Sequence, residues 1–439
     1  MSKLNSTDPE IAKLIDLEAK RQVQVLEMIA SENYASRAVR EALGSVLTNK
    51  YSEGFPKKRY YQGNAVADEV EILAIERAKK LFNVPYVNVQ PLSGSPANSI
   101  VYLALLDYKD KLMGLSRDFG GHITHGGPLS LSAKFFTPVH YTLGKDGELD
   151  YEAIEKLALK EKPKLIICGF TAYPRIYDFK KFGEIADKVG AYLMADVSHV
   201  TGLIVAGVHP SPVPYAHVIT TTTHKTLRGP RGAMILITDK GLKKNPDLPK
   251  LIETATIPGM QGGPHDNQTA AIAVALKEAS TPQFKKYGAQ IVKNAQKLAS
   301  ELIKYGFNLS SGGTDNHLIL IDLTNKKVNG AMAALALEVA GIVLNKNGVP
   351  FDKLPPYWTS GIRLGTPAIT TRGMKEVEMV KIASWMNQVI DEVAGNELPE
   401  DKEKRLEVWR KFKTEVVKNK KLLRIAKEVK IFCQKYPVP

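Results

Sequence analysis

Apolar positions change their period along the chain, and the changes predict its elements. Ile11, Leu14, Ile15, Val25 and Leu26 recur at helical spacing behind Asp8, a capping residue, and Pro9, which suits a first turn. Residues 68–82 repeat an amphipathic helical pattern. Residues 87–91, 165–169, 191–196, 218–222 and 233–237 are short apolar or β-branched runs bounded by turn residues, and they read as strands. Strands alternate with helical patterns from about residue 87 to 237, the mark of a parallel sheet with crossover helices. After a lysine-rich stretch, helical spacing returns over 270–279 and 284–302. The pattern then becomes strand 317–322, helix 330–340, strand 342–344 and strand 362–364. The change near residue 285 predicts an N-terminal helical arm (1–40), a large domain (41–285) and a small C-terminal domain (286–439).

Within this frame, Lys225 stands out. It follows the β-branched run Val218 to Thr222 and precedes the breakers Gly229, Pro230 and Gly232. A lysine fixed on such a turn is either chemical or structural, and local context leaves both open. A partner favours chemistry. The run ending at Asp196 is one strand earlier, and ligands of open α/β sheets bind beyond the carboxyl ends of strands. A strand-end lysine and carboxylate facing one crevice are what pyridoxal phosphate (PLP) requires. The amine holds the aldehyde as a Schiff base, and the carboxylate keeps the pyridine nitrogen protonated. The bland reading of Asp196 is a helix cap.

Other segments carry weaker signals. Ser93-Gly94-Ser95 precedes Pro96 at a predicted helix start, which suits a phosphate and equally an ordinary cap. Gly120 to Gly127 places His122 and His125 in a glycine-rich run. The spacing offers these histidines no carboxylate or third ligand, so no metal site is expected. Residues 31–34 and 48–63 are dense in Tyr, Glu, Arg and Gly without amphipathic periodicity, as in a site wall or an interface. Arg363 interrupts an apolar strand and requires an anionic partner, either a structural carboxylate or a substrate.

Composition narrows the class. The 439 residues suffice for more than one domain, and 44% hydrophobic with 24% charged content is ordinary for a soluble globular protein. No run approaches the length of a membrane helix, and the polar N-terminus lacks a signal-peptide core. Two separated cysteines, Cys168 and Cys433, indicate a reducing, cytoplasmic setting. The net charge is +14, and 13 Lys/Arg against 5 Asp/Glu lie beyond residue 400. The apolar spacing there reads as a packed helix with a solvated basic face, and no nucleic-acid-binding signature accompanies it.

Several runs together resemble the serine hydroxymethyltransferases, PLP enzymes of the fold-type I, aminotransferase-like group. They are Ile29 to Tyr34, Thr48 to Tyr51, Lys58 to Tyr61, Gly121 to Gly126, Thr220 to Lys225, Gly229 to Gly232, Gln261 to Pro264, Ser311 to His317 and Thr359 to Arg363. The resemblance implies an α/β fold, with a mostly parallel seven-stranded sheet in a large domain and a smaller α+β C-terminal domain. It implies a cytoplasmic homodimer with shared active sites, or a tetramer. The implied activity is glycine and serine interconversion in one-carbon metabolism: the hydroxymethyl carbon of L-serine passes reversibly to tetrahydrofolate or a related tetrahydropterin, giving glycine and 5,10-methylenetetrahydrofolate. The implied roles are Lys225 as PLP lysine and Asp196 on the pyridine nitrogen. His122 stacks on the ring, with Asn98 in the cofactor site and His199 and Thr171 near the ring oxygen. Ser93, Gly94 and Ser95 hold the phosphate with Tyr51 and Gly263 from across a dimer interface. Arg363 and Ser31 hold the substrate carboxylate, Glu53 handles protons, and Tyr61 and His224 support the site. Tyr60, Arg117, Gly121, Ile123 and Asn347 contact the pterin.

The sequence also departs from the family pattern. Leu92 replaces a common histidine, Asn64-Ala65-Val66 a frequent Cys-x-Tyr/Phe, and Ile257 an aromatic that packs on the pterin; Arg117 stands where a leucine is usual. The competing readings are a PLP-dependent β-hydroxy amino acid aldolase, an α-methylserine hydroxymethyltransferase, and a basic nucleic-acid-binding protein on an enzyme scaffold.

Overall fold

The computed structural model describes residues 3–399 and 401–439. Met1 and Ser2 of the polar N-terminal stretch, and Glu400 within the predicted small domain, lie outside the described residues. The chain forms two compact units. One comprises Ala35–Val292 with Thr314–Asn316; the other comprises Met1–Tyr34, Lys293–Gly313 and His317–Pro439.

The first unit is built on a seven-stranded sheet. Its strands are β1 (Tyr86–Asn88), β2 (Lys111–Leu115), β3 (Thr137–Tyr141), β4 (Leu165–Cys168), β5 (Tyr192–Asp196), β6 (Val218–Thr222) and β7 (Ala233–Ile237), in the order β1-β7-β6-β5-β4-β2-β3. The neighbours from β3 to β6 pair in parallel, whereas β7 runs antiparallel to both β6 and β1. A turn, rather than a crossover helix, joins β6 to β7, so β7 must return antiparallel. Alternate residues feed two cores. Leu193, Ala195, Ile219, Met234 and Leu236 pack on one face, and Met194, Val218, Ala233, Ile235 and Ile237 on the other. Burial on both faces explains why these strands are nearly continuous apolar runs.

In the second unit, β8 (Asn308–Leu309), β9 (Leu318–Asp322), β10 (Asn345–Asn347) and β11 (Gly361–Gly365) form an antiparallel sheet ordered β8-β9-β11-β10. Helices Gly330–Val339, Glu376–Val393, Lys402–Val416 and Lys420–Cys433 share its core, which includes Trp385, Met386, Ile390, Phe412, Val429 and Cys433. The basic C-terminal segment is thus two helices that bury their apolar stripe.

The N-terminal helix differs from expectation at both its end and its face. It spans Pro9–Gln24, capped by Asp8, and Val25 and Leu26 are not helical. Leu26–Glu27 instead pairs in parallel with Ile342–Val343. Arg372 accounts for the stop. Its guanidinium donates to the carbonyls of Gln22, Val23 and Val25, and also to those of Cys433 and Tyr436. It therefore satisfies groups that the helix end leaves open. Ile11, Leu14 and Ile15 are 45%, 60% and 54% exposed, so the apolar stripe faces outward.

Candidate active site

The carboxyl ends of β5 and β6 lie side by side, with Asp196 opposite Thr220 in the parallel register. Asp196 is buried at the end of β5. Its Oδ2 accepts from Asn98 Nδ2 at 2.9 Å and His125 Nε2 at 3.1 Å; its Oδ1 accepts from Ser198 Oγ at 2.6 Å and Ser198 N at 3.2 Å. Burial alone would raise its pKa. Hydrogen bonds from His125 and Asn98, with the charge of the histidines, outweigh burial and hold the carboxylate well below its usual range. Asp196 caps no helix, because the next helix, Thr201–Val205, starts behind Val200.

The Lys225 turn is pinned on each side. Thr223 N donates to Gly232 O, Gly229 N to Thr223 O, and Thr223 Oγ1 to Pro230 O, while Arg228 N closes onto Lys225 O. Lys225 Nζ donates to Thr222 Oγ1 at 2.9 Å and is half-buried. His224 is held neutral, its pKa lowered to about 3 by burial and then by the Lys225 and Arg231 charges.

The helix Gly94–Leu105 begins at Ser93, which makes no side-chain cap. Gly94, rather than Pro96, is its first residue. A Cβ on Gly94 would lie 2.7 Å from Thr222 Cγ2, so the start of the helix abuts the end of β6. Asn98, one turn on, ties the parts together. Its Nδ2 donates to Asp196 and to Thr124 Oγ1, and its Oδ1 accepts from Thr220 Oγ1 at 2.7 Å. An uncapped helix start, an ionised buried carboxylate and a lysine amine form one donor set around the ends of β5 and β6. The set matches the phosphate, pyridine nitrogen and aldehyde of PLP. Among the described residues, the buried Nδ1 atoms of His125 and His224 have no hydrogen-bond partner.

His122 Nδ1 lies 2.7 Å from Thr124 Oγ1, and its ring meets the His125 ring edge-on at 5.7 Å. Expectation from spacing is corrected here: the fold does bring a carboxylate to the two histidines. Ligand atoms of His122, His125 and Asp196 lie within 4.8 Å of one another. Both Asp196 oxygens also accept two hydrogen bonds each. Thr171 N donates to Gly120 O, His199 is buried and its carbonyl accepts from Thr226 Oγ1, and Gly121 leaves no room for a Cβ against Leu115 O.

A second group in the same unit gathers on the 51–63 segment. Tyr51 and Tyr61 meet edge-on at 5.3 Å, and Gly263 lies against the Tyr51 ring. Tyr51, Tyr60 and Tyr61 are more than half exposed. Glu53 sits between two carbonyls, of Ser52 and Gly54, that both accept from Arg59 Nη1. Arg59 also binds Asp68 and Glu71 at 2.8 and 2.7 Å. Arg117 is exposed on a short turn, and Ile123 is 37% exposed.

In the other unit, Ser31 is half-buried beyond Leu26–Glu27, and Arg363 lies within β11 with 7% exposure. Burial lowers the Arg363 guanidinium to about 10, which leaves it charged at neutral pH. Its Nε donates to Asn345 Oδ1, and Asn347 stands two residues along the same strand.

Sequence reasoning assigned no role to His125, Thr124, Ser198, Thr222, Arg59 or Asn345. His125 was visible in its glycine-rich run, and Thr222 in period-two step with Thr220. The others become significant only through tertiary contacts.

Comparison with known proteins agrees with this geometry. The family model described as serine hydroxymethyltransferase matches residues 4–386. A serine hydroxymethyltransferase of Desulfotalea psychrophila is 54% identical over 439 residues, covering 100% of this chain and 96% of the relative. That of Acidothermus cellulolyticus is 54% identical over 395 residues, 90% of this chain and 91% of the relative. That of Rickettsia canadensis is 53% identical over 395 residues, 90% and 93%. With matches of this extent, and with a lysine and an ionised aspartate at adjacent strand ends, the chain belongs to the serine hydroxymethyltransferase family.

Proposed function

We infer that this protein transfers the hydroxymethyl carbon of L-serine reversibly to tetrahydrofolate, with PLP as cofactor, giving glycine and 5,10-methylenetetrahydrofolate. The observation that carries the reading is the pairing of buried, ionised Asp196 with the Lys225 turn on the neighbouring strand, beside an uncapped helix start. When bound, PLP supplies an electron sink for the pair left at Cα after Cα–Cβ cleavage.

The chain's own residues do the rest in this reading. Lys225 holds the cofactor through its amine, and Asp196 accepts a hydrogen bond from the ring nitrogen and keeps it protonated. Ser93, Gly94 and Ser95 direct N–H and hydroxyl groups at the phosphate. His122 covers the ring, Asn98 fixes Asp196, and His199 and Thr171 face the ring oxygen. Arg363, with Ser31, grips the amino-acid carboxylate and so orients the bond that breaks. Glu53 takes and returns the proton of the hydroxymethyl oxygen, supported by Tyr61 and by neutral His224. Tyr60, Arg117, Gly121, Ile123 and Asn347 receive the pterin.

The same reading assigns the roles to an arm (1–40), a large domain (41–285) and a small domain (286–439), and it makes the working form a cytoplasmic homodimer. The outward apolar stripe Ile11, Leu14 and Ile15 and the exposed Tyr51, Tyr60 and Tyr61 support a second copy covering them. Tyr51 and Gly263, adjacent in one chain, then serve the phosphate of the other subunit's site. No helix among the described residues is long and apolar enough to cross a membrane.

The test is product analysis with serine, with and without tetrahydrofolate. Glycine formation that depends on the carrier is expected. Glycine formed at the same rate without it would replace this reading with an aldolase.

A further inference from the structure

β10 and β11 pair antiparallel, with Asn345 directly opposite Arg363 and Asn347 opposite Gly361. Alternation along a strand puts Asn345 and Asn347 on one face, and direct pairing puts the Arg363 side chain on that face as well. Arg363 Nε donates to Asn345 Oδ1 at 3.1 Å. Asn345 Nδ2 donates to Lys346 O at 2.7 Å and reaches Asn347 Oδ1 at 3.4 Å; Asn347 Nδ2 donates to Gly348 O at 2.7 Å. A line of amides therefore runs from the guanidinium to Asn347.

We propose that Asn345 is a positioning residue that sets the plane of the Arg363 guanidinium and couples the amino-acid subsite to the carrier subsite. The proposal rests on Arg363 as carboxylate clamp and Asn347 as carrier contact. Binding Nε restricts rotation about the last bond of the arginine chain and so aims its planar fork. A fork aimed in advance loses less freedom when a carboxylate binds. The partner's neutrality is part of the device. An amide oxygen accepts from Nε without cancelling the positive charge, whereas a carboxylate there would compete with the substrate. The other end of the same amide holds the Asn347 carbonyl. A shift of the guanidinium on substrate binding thus reaches Asn347, and carrier binding at Asn347 reaches the guanidinium. Such a coupling is reciprocal by thermodynamic necessity.

The experiment compares wild type, N345A, N345D and R363A as PLP-loaded enzymes. It measures serine binding, and glycine binding with and without saturating tetrahydrofolate, by the change in cofactor absorbance. Thermal unfolding and cofactor content check that each variant is folded. In the wild type the carrier should tighten glycine by about five- to 150-fold, the usual span of coupled sites. N345A should weaken serine about tenfold and bring the glycine ratio close to one. N345D, nearly isosteric and a stronger acceptor, should bind serine more weakly than N345A does. A structural hydrogen bond alone predicts the reverse order. N345D binding serine as well as wild type, or N345A keeping both the serine constant and the glycine ratio within about twofold, overturns the proposal. An unchanged serine constant in R363A overturns the underlying reading of Arg363 instead. Should N345A not fold, N345D alone decides the charge argument.

Discussion

Asp196 and His125, 71 residues apart in sequence, share a hydrogen bond of 3.1 Å between Oδ2 and Nε2 in the interior of the first unit. The other ring nitrogen of His125 is buried and has no hydrogen-bond partner among the described residues. The hydrogen bond from the histidine thus helps keep Asp196 ionised. His125→Phe preserves an aromatic body and removes the donor. It should let burial raise the Asp196 pKa and weaken PLP retention about tenfold, whereas His125→Asn should lose less. Cofactor dissociation constants by dialysis and absorbance check this. A Phe variant that retains PLP like the parent would show that Asn98 and Ser198 suffice.

The backbone of the proposed phosphate loop is constrained by β6. A methyl on Gly94 would meet Thr222 Cγ2 at 2.7 Å, and Thr222 Oγ1 is also the partner of Lys225. Gly94→Ala should therefore push the helix start away from the Lys225 turn and weaken PLP binding by about ten- to a hundredfold. Thr222→Ser deletes the offending methyl and retains the hydroxyl. The double variant should recover most of the affinity, which a loss of glycine flexibility could not explain. No recovery in the double variant would refute the steric account.

The strand-end positions of Lys225 and Asp196 were legible because Asp196 closes, and Lys225 lies three residues beyond, a run that burial on two faces makes apolar or β-branched. The partners of Asp196 were not, since Asn98, His125 and Ser198 come from three separate segments. Two strands of the sheet also escaped notice. β2 begins with a lysine and contains a glycine, and β3 contains Pro138, which is tolerated there because β3 is an edge strand. Val25 and Leu26 fit the helical period, yet Arg372 and the pairing with Ile342 override it. Ile11, Leu14 and Ile15 mark a helix correctly, but a period cannot say what covers the stripe.

Glu27 provides a test that does not depend on catalysis. Burial, and then the Glu32 charge, raise its pKa to about 7 against the opposing pull of Ile29 N–H and Arg21. The folded state therefore binds a proton more tightly than the unfolded chain, and stability falls as pH rises from the ordinary carboxylate value to about 7. Glu27→Gln removes that loss. The gain in unfolding free energy of the variant over the parent should grow through this window and level off above it. Urea denaturation of both proteins across the window measures the gain. A gain independent of pH would mean that Glu27 does not titrate there.

The carrier site gives the last prediction. Where the resemblance implies an aromatic packed on the pterin this chain has Ile257, which is only 6% exposed and so has little surface to offer a ligand. A lost aromatic stack removes about 0.5–1.5 kcal/mol beyond buried area. Arg117 is exposed on its turn, beside Gly120 and Gly121, and its charge can act on the carboxylates of a glutamate tail. The net charge of +14 adds a field that favours longer, more anionic tails. Monoglutamyl tetrahydrofolate should therefore bind weakly and polyglutamyl carriers better, with the advantage shrinking at high salt. Arg117→Leu should lower kcat/KM for the polyglutamyl carrier more than for the monoglutamyl one, and so reduce the polyglutamyl advantage. The measurement is kcat/KM for both carriers at low and high salt. Equal values at both salt levels would refute the charge argument, and a tight monoglutamyl complex would show that the loss of the aromatic is compensated by contacts other than Arg117.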